Sequence, residues 1–138
     1  MEDDDDGESA LAAVGCVTAI RRVLDSIKND KNLLLQLKPI IYPILLHGLT
    51  PEGMDAIQDG LDCLALLIYH GGKDLVGQDL WTLYPQMLLI TSGTEKDVDG
   101  GWAYEFMASV VVCCCNFITK DPQNFLSVGP EQSQTYFE

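Results

Sequence analysis

The chain is predicted to be all-α, an α-α superhelix of the armadillo/HEAT-repeat solenoid kind with about two and a half helical hairpins. Three observations predict it. Apolar residues recur at three- and four-residue steps in the long segments. No run alternates with period two for long, and no Asn-Gly or Asp-Gly turn joins β-branched runs. Helical pairs begin near residues 9, 51 and 100, a step in the range of about 40–50 residues that HEAT and armadillo units use.

The first helix is expected from Glu8 to Lys28, with Leu11, Val14, Val17, Ile20, Leu24 and Ile27 on one face. Acidic residues ahead of it suit the positive end of the helix dipole, and Asn29-Asp30 ends it. A short helical turn is expected at Leu33–Leu37, then a helix starting near Pro39 and bent by Pro43. Thr50 is placed as the N-cap of the third helix, with Pro51 at its first position. Met54, Ile57, Leu61, Leu64 and Ile68 form its stripe, stopped by Gly71-Gly72. The fourth helix is expected over Gln78–Thr91, carrying Leu80, Trp81, Tyr84 and Leu88. Residues 92–101 form a polar loop. The fifth helix runs from Trp102 to Thr119, with Phe106, Val110, Cys113, Cys114 and Phe117 inward, and Asn124–Leu126 add one more turn.

Cys16, Cys63 and Cys113 fall in the middle of successive first helices, 47 and then 50 positions apart. A unit of this kind cannot bury its apolar stripes alone, so neighbours stack into one elongated core. The fifth helix must lie against the fourth, pair with the residues after Pro122, or expose an apolar face. The expected divisions are an acidic flexible arm over residues 1–8, helical repeats over 9–128 and a polar tail over 129–138.

The formal charge is −13, and residues 2–8 supply six of the 21 acids. Without them the body keeps 15 acids against eight bases, a net of −7. That sign repels phosphate backbones and attracts basic proteins, so direct nucleic-acid binding is not expected. No basic leader and no apolar run of about 18–20 residues is seen, which points to a soluble protein without membrane insertion. An odd set of five cysteines, three of them adjacent, suits a reducing compartment, cytosol or nucleus.

Candidates for chemistry are few. Cys113, Cys114 and Cys115 project from a helix about 100° apart and cannot chelate one ion together. They are expected to be small residues at a tight helix contact. His47 and His70 sit at helix ends, where the dipole favours them, and neither has a Cys or Ser partner at a recognisable spacing. The Gly71-Gly72 and Gly100-Gly101 pairs follow no strand, so no phosphate loop is read from them. No catalytic residue, metal ligand or cofactor is expected. Asp3, Asp4, Asp5 and Asp6 are candidate contacts for basic cargo, against the plainer reading of a solvated loop. Trp81 and Tyr84 are expected in the core, and Trp102 is left open.

Three stretches in series carry a resemblance. They are Asp3–Asp6 followed by Ala12-Ala13-Val14-Gly15-Cys16, then Asp79-Leu80-Trp81-Thr82-Leu83-Tyr84-Pro85, then Gly101-Trp102-Ala103-Tyr104-Glu105-Phe106 with Asn116-Phe117-Ile118. In that order, over residues 3–126, they resemble the importin-7/importin-8 group of importin-β-like nuclear transport receptors. Gly71-Gly72-Lys73 and the cysteine triplet depart from the family's pattern. The resemblance implies a superhelical receptor that shuttles between cytoplasm and nucleus. It implies protein cargo on its inner surface, Phe-Gly nucleoporins in outer grooves, and Ran GTPase bound through repeats outside this chain. No binding residue is carried over from it.

Overall fold

Val17 and Leu24, seven residues apart on one helical face, are the points at which the first helix enters the core. The computed structural model describes residues 2–94 and 100–127, with side chains from residue 7 onward. Among them every regular element is helical. These are α1 (Glu2–Ile27), α2 (Lys31–Gly48), a 3₁₀ turn (Pro51–Ala56), α3 (Ile57–Gly71), α4 (Lys73–Trp81), α5 (Leu83–Ser92), a second 3₁₀ turn (Tyr104–Phe106), α6 (Met107–Lys120) and α7 (Pro122–Ser127). The all-α, HEAT-like stacking expected from the sequence is what is found. Helices α1, α3 and α6 lie side by side in one row, with α3 touching both neighbours. Helices α2, α4, α5 and α7 form the row behind.

The repeat can be read from the bonds that cross between units. Thr18 and Arg21 of α1 reach Asp59 and Asp62 of α3, 41 positions on, and Tyr42 of α2 reaches Thr82, 40 positions on. From α3 to α6 the step lengthens to 51 or 52, as in Gln58 with Ser109, Ala65 with Asn116 and Leu61 with Cys113. The segment between Ser92 and Tyr104 takes up the difference. It is tied back onto α5 by the Gly101 N–H donating to Thr91 O and the Ala103 N–H donating to Ile90 O, each at 2.9 Å.

That tie leaves no room at Gly101. A Cβ there would lie 2.0 Å from the Ile90 carbonyl oxygen and 3.0 Å from the Gly93 nitrogen. Gly101→Ala should therefore cost about 1–3 kcal/mol, because backbone must move. Gly15→Ala, on exposed helix with nothing within 4 Å, should gain up to about 1 kcal/mol. Urea midpoints of the two variants measure the contrast.

Several boundaries differ from expectation. α1 begins at Glu2, so the arm expected over residues 1–8 is helical from Glu2 onward. A run of acids at a helix N-terminus meets the positive dipole end, which favours that continuation. The polar tail over 129–138 lies outside the described residues. α2 runs unbroken through both prolines and starts at Lys31 under an Asp30 cap, whose Oδ1 accepts from Asn32 N and Leu33 N. Pro39 and Pro43 are both exposed, so the helix side that loses its bonds is open to water. Thr50 makes no side-chain cap; its hydroxyl donates back to His47 O, and the chain enters α3 through the 3₁₀ turn. The helix expected over Gln78–Thr91 is divided at Thr82, and its first part belongs to α4, which starts earlier at Lys73 and kinks at Gly77, whose φ of 52° excludes ordinary helix.

The core is continuous across the units. Leu24, Leu34, Leu61, Leu67, Leu80, Met87, Val110 and Phe117 are among its fully buried members. Leu11, Met54 and Leu88, expected inward, are exposed instead, while Met87 and Ile90 supply the buried face of α5. α6 meets all three outcomes open to it. It packs on α5 and α7 as well as α3, and it still exposes Val111 and Val112. Trp81 and Tyr84 are buried as expected, around Phe117 at ring distances of 4.7 and 5.6 Å. Trp102 is 37% exposed.

Candidate protein-binding groove

An open groove of about 400 Å³ lies between α1 and α2. Ala13, Val14, Val17 and Ile20 form one wall, Pro43 and Ile44 the other. Ala10, Gly48, Gly53, Ala56 and Gly60 also line it. Six of the lining residues are Gly or Ala and carry little side chain, and each wall helix is held by bonds to elements other than its partner. α1 is held to α3, with the Thr18 hydroxyl donating to Asp59 Oδ2 at 2.6 Å. Arg21 Nη1 donates to Asp59 Oδ1 at 2.9 Å and to Asp62 Oδ2 at 3.2 Å. α2 is held to the second pair, by Lys38 paired with Asp79 at 2.8 Å and by Tyr42 with Thr82 at 2.9 Å. α1 and α2 touch each other far less than either touches α3.

The polar residues at the groove are His47, Glu52 and Asp55. Beyond Ala10, α1 carries the six acids of residues 2–8, of which Glu8 is exposed. An apolar trough with acidic edges is suited to a protein surface of opposite charge and has no set of groups arranged for a reaction.

The other candidates separate. Asp3, Asp4, Asp5 and Asp6 lie on the first turns of α1, and their side chains fall outside the described residues. The three adjacent cysteines diverge as helical geometry requires: Cys113 is buried, Cys114 half-buried and Cys115 exposed, so only the first sits at a tight helix contact. There the Cys113 thiol donates to Leu61 O at 3.3 Å. Burial pushes the Cys113 thiol pKa strongly upward and raises those of Cys63 and Cys114 to about 11. Asp59 and Asp62 add to the rise at Cys63. Thiolate is the reactive form, so these three should be inert near neutral pH. A thiol-reactive dye should label Cys16 and Cys115 rapidly and the others only as the chain unfolds; mass spectrometry of the labelled protein reads the order. His47 and His70 both lie in last helical turns. Desolvation lowers the pKa of His70, with Lys28 and Lys120 adding to it, so it stays neutral at physiological pH. Among the described residues no three His, Cys, Asp or Glu side chains converge as a metal site. No single described helix is long and apolar enough to cross a membrane.

Sequence reasoning missed the groove. Its signal was present as Ala10, Ala13, Gly48, Gly53, Ala56 and Gly60, but small residues mark a cavity only once it is known which helices face each other.

No family model matches the chain, and no solved structure does. Among curated proteins, the importin beta-like SAD2 homolog of Arabidopsis thaliana is 30% identical to it over 126 residues. The match takes in 91% of this chain but only 11% of that relative's length. Along nearly all of its length, the chain is thus similar to one stretch of an importin beta-like protein, a likeness that supports the importin-β-like family.

Proposed function

We propose that this chain is a protein-binding segment of a nuclear transport receptor of the importin-β family, of the importin-7/importin-8 type. The likeness to an importin beta-like protein over 91% of the chain carries the reading. The stack of helical pairs with an open apolar groove and a net charge of −13 supports it, since such a surface recognises proteins by shape and charge. On this reading the segment binds protein cargo and Phe-Gly nucleoporins, and Ran GTPase acts through other parts of the full-length protein. The receptor moves between cytoplasm and nucleus. It performs no catalysis and needs no cofactor. Asp3, Asp4, Asp5 and Asp6 would extend an acidic surface toward basic cargo.

The test is a pull-down with the full-length parent, using GTP-loaded Ran and a Phe-Gly repeat fragment as separate baits, followed by an import assay in permeabilised cells. Retention on both baits and nuclear accumulation are expected. A parent that binds neither would be a HEAT-repeat scaffold outside transport.

A further inference from the structure

We propose that the groove between α1 and α2 seats the apolar face of an amphipathic helix whose flanking side chains are lysine or arginine. This rests on the protein-binding reading and adds to it a site, a shape and a mode. Along α1 the groove runs from Ala10 to Ile20, which at the helical rise is about 15 Å. Apolar side chains at positions i, i+4 and i+7 of a docked helix span about 10 Å and so fit within it. Its volume of about 400 Å³ falls in the range of sites that enclose a ligand, and its walls are Val14, Val17, Ile20, Pro43 and Ile44.

Charge decides the sign of the partner. Glu52 and Asp55 stand at the groove, Glu8 lies just beyond its end, and the chain as a whole carries −13. An acidic helix would meet like charge at Glu52, Asp55 and Glu8, whereas a basic one is steered in and its cations remain at the solvated edge. An extended basic segment without apolar anchors would leave the walls uncovered. The anchors therefore supply most of the affinity, and the cations supply approach and selection.

Gly60 provides the test. A Cβ built there meets nothing within 4 Å, so Gly60→Leu starts from an unobstructed position and adds bulk at the groove's lining. Replacing a glycine inside α3 also favours the helix, so the variant should fold at least as firmly, which a thermal melt checks. Three labelled synthetic peptides serve as probes: a helix of leucine at i, i+4 and i+7 with lysine elsewhere, the same with glutamate for lysine, and the same with alanine for leucine. Fluorescence anisotropy with the 138-residue chain should show the lysine–leucine peptide binding at least tenfold more tightly than either control. Gly60→Leu should weaken it at least tenfold. Equal binding by the alanine peptide would reduce the site to a charged surface, and equal binding by the Gly60→Leu protein would place the contact elsewhere; either result overturns the proposal. So would a dimer of the chain that Gly60→Leu dissolves, because a second copy would then be the occupant. Import by the parent is read separately. Loss of transport function with peptide binding intact sinks the transport reading alone.

Discussion

Phe117→Ala should destabilise the chain by about 3–5 kcal/mol, the cost of emptying an aromatic-sized hole that its neighbours cannot close. Phe117 is fully buried and joins three helices: its ring lies 4.7 Å from Trp81 at the end of α4 and 5.6 Å from Tyr84 in α5. Tyr84 in turn meets Phe125 of α7 at 6.2 Å. Domains of this size are stable by only about 5–15 kcal/mol, so the loss is a large part of the total. Urea denaturation followed by tryptophan fluorescence measures it, with Val111→Ala as a control. Val111 is half-exposed on the same helix and should lose no more than about 0.5 kcal/mol. A Phe117→Ala variant as stable as that control would mean that α6 is not seated where it is described.

The second large effect is expected at Asp121, between α6 and α7. Its side chain is 1% exposed, yet its Oδ2 accepts from Trp81 Nε1 at 2.8 Å and from Asn124 Nδ2 at 2.7 Å. Asp121→Ala leaves a buried indole N–H without its acceptor, at a cost of about 1–3 kcal/mol. Asp121→Asn keeps one oxygen for Trp81 and should cost less. The other carboxylate oxygen, Oδ1, is buried without a partner among the described residues, so replacing it surrenders no bond of its own. Chemical denaturation of the two variants side by side should place Asn between Ala and the parent protein. An Ala variant no worse than Asn would show that the Trp81 bond contributes nothing.

Much of the fold was legible because periodicity reports which face of a helix is wet. Val17, Leu24, Leu61, Leu64, Ile68, Val110 and Phe117 are buried where their spacing put them. Boundaries were less legible. Pro39 reads as a helix start in one dimension, but it and Pro43 are four residues apart and share a solvent-facing side, so the helix passes through both. The helical start ahead of Gln78 was not read, because α4 begins at Lys73 and passes a kink at Gly77 that only the positive φ there reveals. Nothing in the sequence marks Asp121 as buried, because its partner Trp81 lies 40 positions away. The groove was the least legible feature. It depends on α1 and α2 being held apart by bonds from Asp59, Asp62, Asp79 and Thr82, none of which belongs to that hairpin.

That arrangement has a mechanical consequence. α1 and α2 each lean on α3 and scarcely on one another, so the first hairpin behaves like two blades hung from a common pivot. Thr18, Arg21 and the fully buried Leu24 share one unbroken helix, so a roll of α1 that widened or narrowed the gap would also turn Leu24 in the core. The width of the gap is thus tied to the packing of the interior as well as to Asp59 and Asp62 on the neighbouring helix.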